Sequence, residues 1–217
     1  QMCIRDRTGA AYDLARPTVA STLALGNRRV GTAGNLNIAN TTLTSASFQD
    51  SLDVTSATSN AKLTLGSVAN ILAGADRNLV VTAATAGDLG ATLTLGLTSN
   101  ANGVAGLTNA ALANRTVTVT GAAYDLANAS VGSTLALGNI RRGAAYNLGV
   151  TNATITAAAY QDSLRVAATS SDTGALTVTS PADILAGASG NVTVSAAAAG
   201  VLTGVNVSLA LTSKALA

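Results

Sequence analysis

The stretch Thr8-Gly-Ala-Ala-Tyr-Asp-Leu-Ala15 decides the fold, because the same eight residues return unchanged at positions 120–127. Two further stretches return at the same spacing of 112 positions: Ser21-Thr-Leu-Ala-Leu-Gly-Asn27 at 133–139, and Gln49-Asp-Ser-Leu52 at 161–164. A period of this length is that of an ordinary domain, whereas the coils of a solenoid repeat every ~20–30 residues. The sequence therefore predicts two tandem units.

The composition indicates a chain that packs a hydrophobic core and has few of the residue types that enzymes use in catalysis. Of the 217 residues, 48% are hydrophobic and only 2% are aromatic, so the core must be mainly aliphatic. All ten acidic residues are Asp, and the sequence contains no Glu, His or Trp. The net charge of +2 is too small and too scattered to indicate nucleic-acid binding. The two basic pairs, Arg28-Arg29 and Arg141-Arg142, are expected in equivalent solvated turns.

Residues 1–7 differ in character from the rest of the chain. The run Met2-Cys-Ile-Arg-Asp-Arg7 resembles one reading frame of a common transposon-type sequencing adapter, so we interpret residues 1–7 as a sequencing artefact. The alternative is a native N-terminus. Excluding this segment removes the single Cys, and with it any disulfide framework or thiolate metal site.

Apolar residues alternate with Thr, Ser, Ala or Asn along both units. A period of two places one row of side chains in a core and the other row in water. Gly, Asn, Asp and Ser mark turns at intervals of roughly 10–15 residues. Seven or eight such strands per unit, without a helical period, predict an all-β fold of two tandem immunoglobulin-like β-sandwiches. The clearest rows are Leu36/Ile38, Leu93/Leu95/Leu97, Val192/Val194 and Val205/Val207/Leu209/Leu211.

The predicted boundaries place repeat 1 at residues 8–120 and repeat 2 at residues 121–217. Residues 114–121 form the expected closing strand of repeat 1, and repeat 2 stops before an equivalent of residues 112–119 appears. We therefore expect the second sandwich to lack its final strand. Two or three missing buried side chains lower its stability by roughly 3–9 kcal/mol and leave an unpaired edge.

The few aromatic residues receive two different predictions. Phe48 and its counterpart Tyr160 are expected to be the large side chains of the two cores. Tyr12 and Tyr124, at the start of each unit, are expected to pack at junctions between units.

Five short motifs carry a resemblance to a known family. They are Leu25-Gly-Asn-Arg-Arg-Val-Gly31, Leu36-Asn-Ile-Ala-Asn40, Ile71-Leu-Ala-Gly-Ala75, Thr116-Val-Thr-Val-Thr-Gly-Ala-Ala-Tyr124 and Tyr160-Gln-Asp-Ser-Leu164. In this order they resemble the motifs of the bacterial choice-of-anchor D repeats, which are related to the abnormal-spindle/hydin class of immunoglobulin-like domains. The likeness covers nearly all of residues 8–213. It implies a secreted or cell-surface repeat with a structural or adhesive role and no catalytic residues.

The side chains available for chemistry argue against an enzyme. Without His, Glu or a usable Cys, no pattern suggests an activated nucleophile or an acid–base pair, and we predict no catalytic, cofactor-binding or metal-binding residues. Calcium is the strongest alternative, and Asp50 with Asp53 is the best local pair. However, Arg165 stands at the position of Asp53 in repeat 2. The repeated carboxylates Asp13/Asp125 and Asp50/Asp162 are expected to accept backbone N–H bonds in turns.

These observations predict a non-catalytic structural or adhesion-type repeat region of a large secreted or cell-surface bacterial protein. Its expected partners are neighbouring repeats of the same chain and cell-surface or extracellular matrix components, without nucleic acid, cofactor or membrane span. No apolar run approaches the ~18 residues of a membrane helix. Two alternatives stay open: a β-solenoid adhesin or autotransporter passenger segment, and a carbohydrate- or protein-binding β-sandwich module.

Overall fold

The computed structural model describes residues 9–216, and the interpretation of residues 1–7 lies outside this range. The described residues form strands and turns, with two single-turn 3-10 helices at Ala46–Phe48 and Ala158–Tyr160. The prediction of an all-β fold is confirmed. The strands are β1 Pro17–Val19, β2 Thr22–Arg29, β3 Ala33–Asn40, β4 Ser51–Thr58, β5 Leu63–Leu65, β6 Val68–Ile71, β7 Asp76–Ala83, β8 Gly87–Asp88, β9 Ala91–Asn100, β10 Ala110–Ala111, β11 Arg115–Tyr124, β12 Ala129–Val131, β13 Ala145–Asn152, β14 Ser163–Ser170, β15 Leu176–Thr179, β16 Ser189–Ala196 and β17 Val207–Lys214.

The chain divides into two compact units. The first contains the residues up to 84 and residues 88–122, and the second contains residues 85–87 and the residues from 123 onward.

The first unit is a sandwich of two sheets. One sheet has the order β1-β3-β7-β5, and the main path of the other is β2-β11-β9-β4-β6. In register, β3 pairs with β7 from Ala33 opposite Thr82 to Ala39 opposite Asp76. The alternating rows predicted from the sequence point inward from both sheets and meet in an aliphatic core. Its buried members include Leu36, Ile38, Leu79, Val81, Leu52, Leu93, Leu95 and Val117.

The second unit repeats part of this arrangement. Its sheet β12-β13-β16-β15 corresponds strand for strand to β1-β3-β7-β5, and the pair β14-β17 corresponds to β4-β9. Its buried core is Val150, Leu164, Val166, Leu176, Ile184, Val192 and Val194. Within residues 9–216, neither β2 nor β11 has a strand counterpart in this unit. Residues 133–139, the sequence equivalent of β2, form no strand, which the alternating pattern did not predict.

The aromatic side chains lie outside the core, so the prediction that Phe48 and Tyr160 fill it is wrong. Phe48 is 47% exposed, and Tyr160 is partly exposed. Each ends a 3-10 turn that buries no residue. There the ring packs against a tyrosine: Phe48 against Tyr12 with centroids 5.5 Å apart, and Tyr160 against Tyr124 at 5.7 Å. The junction role expected of Tyr12 and Tyr124 stays a prediction.

Strand pairing in both units favours a sandwich over a solenoid. The ladders that join β4 with β9 and β14 with β17 are antiparallel and connect strands far apart in the sequence. Stacked solenoid coils would instead pair each strand with its counterpart in the next coil.

Candidate functional site

Each unit contains a buried polar network centred on an asparagine at the end of an inner strand. In the first unit this residue is Asn40, the last residue of β3, which has no exposed surface. Its Oδ1 accepts hydrogen bonds from the backbone N–H of Arg16 at 2.9 Å and from Nε2 of Gln49 at 3.1 Å. Its Nδ2 donates to the carbonyls of Asp50 and Ile71, at 2.9 and 3.0 Å. The amide therefore uses both donors and both acceptor positions.

Gln49 closes the loop that follows β3. Besides its bond to Asn40, its Nε2 donates to the carbonyl of Thr41 at 2.9 Å, and its Oε1 accepts the N–H of Leu43 at 2.8 Å. The Gln49 side chain thus bonds backbone N–H and C=O groups of a loop that has no neighbouring strand to bond them.

Ser99 of β9 carries the network to the opposite sheet. Its hydroxyl accepts the N–H of Ala15 at 2.8 Å and donates to Oδ2 of Asp50 at 2.8 Å. A parallel bridge between Asp13 and Gln49 holds the same entry segment. The network therefore ties the chain entering the unit to both sheets of the sandwich.

The second unit repeats this network with the same side chains. All eight hydrogen bonds recur, and each distance differs from its counterpart by at most 0.1 Å. The central side chains are Asn152, Gln161, Asp162 and Ser213 in place of Asn40, Gln49, Asp50 and Ser99.

The structure corrects part of what was expected of the repeated aspartates. The carboxylates of Asp50 and Asp162 each accept a serine hydroxyl from the facing strand, which was not predicted. At Asp125, the backbone makes the bonds to Tyr160 and Asp162. One carboxylate oxygen of Asp125 is buried and has no hydrogen-bond partner in the described part of the chain. Asp13 and Asp125 lie in the entry segment of each unit, whereas Asp50 and Asp162 lie directly before β4 and β14.

The calcium alternative rested on Asp53, which has protein partners of its own. Its carboxylate accepts the N–H of Asn70 at 2.7 Å and Nδ2 of Asn100 at 2.6 Å. Across residues 9–216, no three Asp, Glu, His or Cys side chains lie close enough together to hold a metal ion.

The equivalent surface position in the second unit carries different charges. Arg165 replaces Asp53, and Asp183 and Lys214 replace Asn70 and Asn100. The guanidinium of Arg165 donates to Asp183 at 3.1 Å, and the ammonium of Lys214 contacts the other carboxylate oxygen. The hydrogen bond from Arg165 is the main reason that the pKa of Asp183 lies below its ordinary value, and Lys214 lowers this pKa further.

The basic pairs take different partners in the two units. The guanidinium of Arg28 donates to the carbonyl of Leu25, whereas that of Arg142 donates to the carbonyl of Ala197 at 2.9 Å. Arg28 is partly buried, while Arg142 is exposed as expected of a solvated turn.

Two cavities have linings that bear on function. An open polar cavity of about 380 Å³ in the first unit is lined by Tyr12, Gln49, Asp50 and Asn102, among others. A cavity of about 300 Å³ in the second unit is lined mainly by aliphatic residues. Its lining includes Leu135, Leu137, Leu148, Leu176, Val194, Val205, Val207 and Leu209.

The polar networks were missed at the sequence level, although their signal was present. Asn40, Gln49, Asp50 and Ser99 all recur as identical residues in the second repeat. When two repeats differ at their surfaces but keep the same polar residue at one position, that residue is expected to be buried and hydrogen-bonded.

Comparison with known proteins gave no match. No protein-family model matches the chain, and the search of curated proteins returned no match either. None of the helices in the described range is long and apolar enough to cross a membrane.

Proposed function

We propose that this chain is a non-catalytic structural repeat region of a large secreted or cell-surface bacterial protein, built from immunoglobulin-like units. The observation that carries the proposal is the repeated network. Both units keep the same eight buried or partly buried hydrogen bonds, and this network ties the entering chain to the sandwich. Surface chemistry is not shared in this way, since Asp53 corresponds to Arg165 and Asn100 to Lys214.

This contrast supports a structural role over an enzymatic one. A reaction carried out by each repeat would require the same titratable side chains at the same exposed positions. The residues that recur in the network are an asparagine, a glutamine, a serine and an aspartate, and this aspartate, Asp50 or Asp162, is buried with its carboxylate bonded to the serine. The repeats share hydrogen bonds that resist separation of the entry segment from the two sheets.

A secreted or cell-surface location is supported by composition and by the resemblance to choice-of-anchor D repeats. Abundant Thr, Ser, Asn, Gly and Ala, with little Lys and no Glu, are typical of exported bacterial surface repeats. The expected partners are then neighbouring repeats and components of the cell surface or extracellular matrix.

Force spectroscopy on the whole chain tests the structural role. Pulled from its two ends, the chain should show a force peak followed by release of about 110 residues from the first unit, or roughly 35–40 nm of contour length. Asn40→Ala should lower that peak, while Asn35→Ala, at an exposed position of the same strand, should leave it unchanged. Extension without a peak would contradict a load-bearing role.

A binding module is the second candidate, and the polar cavity of the first unit favours it. Tyr12 offers an aromatic face there, and the exposed Asn102 offers an amide beside it. Aromatic rings with nearby amides are typical of carbohydrate sites. A glycan array and matrix-protein panel test this candidate: saturable binding that is lost in Tyr12→Ala would favour it over the spacer.

A further inference from the structure

One group of exposed apolar side chains is shared by the two units, although their charged surface positions differ. Three such side chains of the first unit have an apolar counterpart in the second, and all six are between 47% and 59% exposed. Val80 on β7, by contrast, is also exposed but corresponds to Thr193 on β16. The three shared pairs are Leu14 and Leu126, Leu43 and Ile155, and Leu72 and Leu185.

These side chains lie on three adjoining segments at one end of each unit. In the first unit the segments are the entering chain, the loop before β4 and the loop between β6 and β7. The ring of Tyr12 packs against Phe48, and Tyr12 and Leu72 line the same cavity. A Cβ on Gly74 would lie 2.8 Å from Oγ1 of Thr42, so the two loops touch. We name these groups the entry patches: Leu14, Leu43, Phe48 and Leu72 in the first unit, and Leu126, Ile155, Tyr160 and Leu185 in the second.

The buried network holds the loops that carry each entry patch. Oε1 of Gln49 accepts the N–H of Leu43 at 2.8 Å, and the carbonyl of Asn40 accepts the N–H of Gly74 at 2.7 Å. The corresponding bonds in the second unit are 2.8 and 2.6 Å long. Both units therefore present their apolar side chains on loops of fixed conformation, which lowers the entropy lost on binding.

The exposure of the entry patches does not come from the point at which the sequence begins. In the second unit, the residues before Leu126 belong to β11. Leu126 is nevertheless as exposed as Leu14.

The loops of the entry patches carry no charge in either unit. Residues 41–49 and 71–75 contain no Asp, Lys or Arg, and neither do their counterparts 153–161 and 184–188. A charged surface repels its own copy, whereas a neutral apolar surface does not. Lys and Arg are typical of membrane-surface and nucleic-acid-binding patches, and these loops have none.

One entry patch is too small for a stable interface by itself. Four large apolar side chains that are about half exposed offer on the order of 400 Å². Stable protein–protein interfaces bury about 800 Å² on each partner. The two entry patches of the chain together reach this area, so a fitting partner presents two neutral apolar surfaces at once. A second copy of this chain presents two, since each of its units carries one.

We propose that the entry patches are the surfaces through which two copies of this chain associate. Each patch packs on a patch of the other copy, and engagement of the first pair raises the effective concentration of the second. The association is reversible, because each contact is small. It adds a self-association function to the proposed structural role, and the force peak expected of a single chain does not depend on it.

Sedimentation equilibrium of the whole chain tests the proposal. The mass should rise from that of one chain toward that of two between ~10 μM and ~1 mM. Leu43→Ser with Leu72→Ser should weaken the association at least ~10-fold, because one of the two contacts is lost. Adding Ile155→Ser and Leu185→Ser should leave the chain monomeric at ~1 mM.

Val80→Thr is the matched control, since it removes an exposed apolar side chain outside the entry patches and introduces the residue of the second unit. This variant should associate as the parent chain does. Circular dichroism of every variant checks that the fold is kept. A parent chain that stays monomeric at ~1 mM, whether or not it binds lipid vesicles or a glycan, would overturn the proposal. Equal weakening by Val80→Thr would do the same, since it would show unspecific apolar association.

Nuclear magnetic resonance on the unmodified chain keeps the test independent of the folding of the variants. In a mixture of isotope-labelled and unlabelled chain, filtered Overhauser contacts between copies should involve the methyl groups of Leu43, Leu72, Ile155 and Leu185. Contacts that occur only within one copy, or between copies at other residues, would contradict the proposed interface.

Discussion

At the scale of single residues, the stability of each unit depends on an asparagine that no local pattern marks. Asn40 is fully buried and makes four hydrogen bonds to groups between 9 and 31 positions away in the sequence. Asn152 does the same in the second unit. A buried amide is tolerated only when all of its donors and acceptors are paired, and removing it leaves several partners unsatisfied.

Replacing Asn40 by Ala should destabilise the first unit by about 3 kcal/mol or more, because the N–H of Arg16 and the carbonyls of Asp50 and Ile71 lose buried partners. Chemical denaturation followed by circular dichroism measures this change. Asn35→Ala, at an exposed site on the same strand, should stay within about 0.5 kcal/mol of the parent chain. Equal effects of the two substitutions would show that the network contributes nothing.

The second residue-scale prediction concerns pH. Arg165, and then Lys214, hold the pKa of Asp183 below its ordinary value of 3.8 in the folded state. A lowered folded pKa means that this contribution to stability is present above pH 3.8 and is lost as the pH falls through the folded pKa. The unfolding free energies of the parent chain and Asp183→Asn should therefore differ near neutral pH and converge in acid. Asp183 and both its partners are solvent-accessible, so the difference should be small and should shrink in 1 M salt. A gap that widens in acid would contradict this assignment.

At the scale of elements, identical sequence takes two conformations. Residues 21–27 lie largely in strand β2, whereas residues 133–139 form no strand. The first copy is held by a close approach of β11: a Cβ on Gly121, which has φ +147°, would lie 2.6 Å from the carbonyl oxygen of Gly26. The local strand propensity of this heptapeptide therefore allows either conformation, and pairing with a neighbouring strand determines which one it takes.

Amide hydrogen exchange tests this difference without any mutation. The two heptapeptides share their intrinsic exchange rates after the first residue, so protection can be compared directly. The amides of residues 22–27 that donate hydrogen bonds to β11 should be protected from exchange. The amides of residues 134–139 should exchange at close to their intrinsic rates. Equal protection of the two copies would mean that residues 133–139 form a strand in solution.

At the scale of the whole molecule, the two units differ in how completely they bury their apolar residues. Leu93, Leu95 and Leu97 of β9 are at most 2% exposed. In the second unit, the counterparts in β17 are partly or well exposed. Buried apolar area is the main favourable term in folding, so we expect residues 123–217 by themselves to form the less stable unit.

Calorimetry of the chain should accordingly show two unfolding transitions, the lower belonging to the second unit. Asn152→Ala should move only the lower transition, and Asn40→Ala only the upper one, since each asparagine bonds within its own unit. This pair of variants assigns the transitions without separating the units. A single transition that both substitutions shift equally would contradict independent unfolding.

The sequence by itself determined the duplicated unit, the all-β class and the inward rows of aliphatic residues. These follow from local pattern: a repeat is visible as identity, and a period of two specifies a strand with one buried face.

Only the tertiary structure decided that Phe48 lies outside the core, that residues 133–139 form no strand, and that Asn40 centres a buried network. The physical reason is the same in each case. These outcomes depend on partners distant in the sequence, as in the bond from Ala15 to Ser99, 84 positions away. A side chain or strand takes its final place only when such a partner exists, and local propensity does not contain that information.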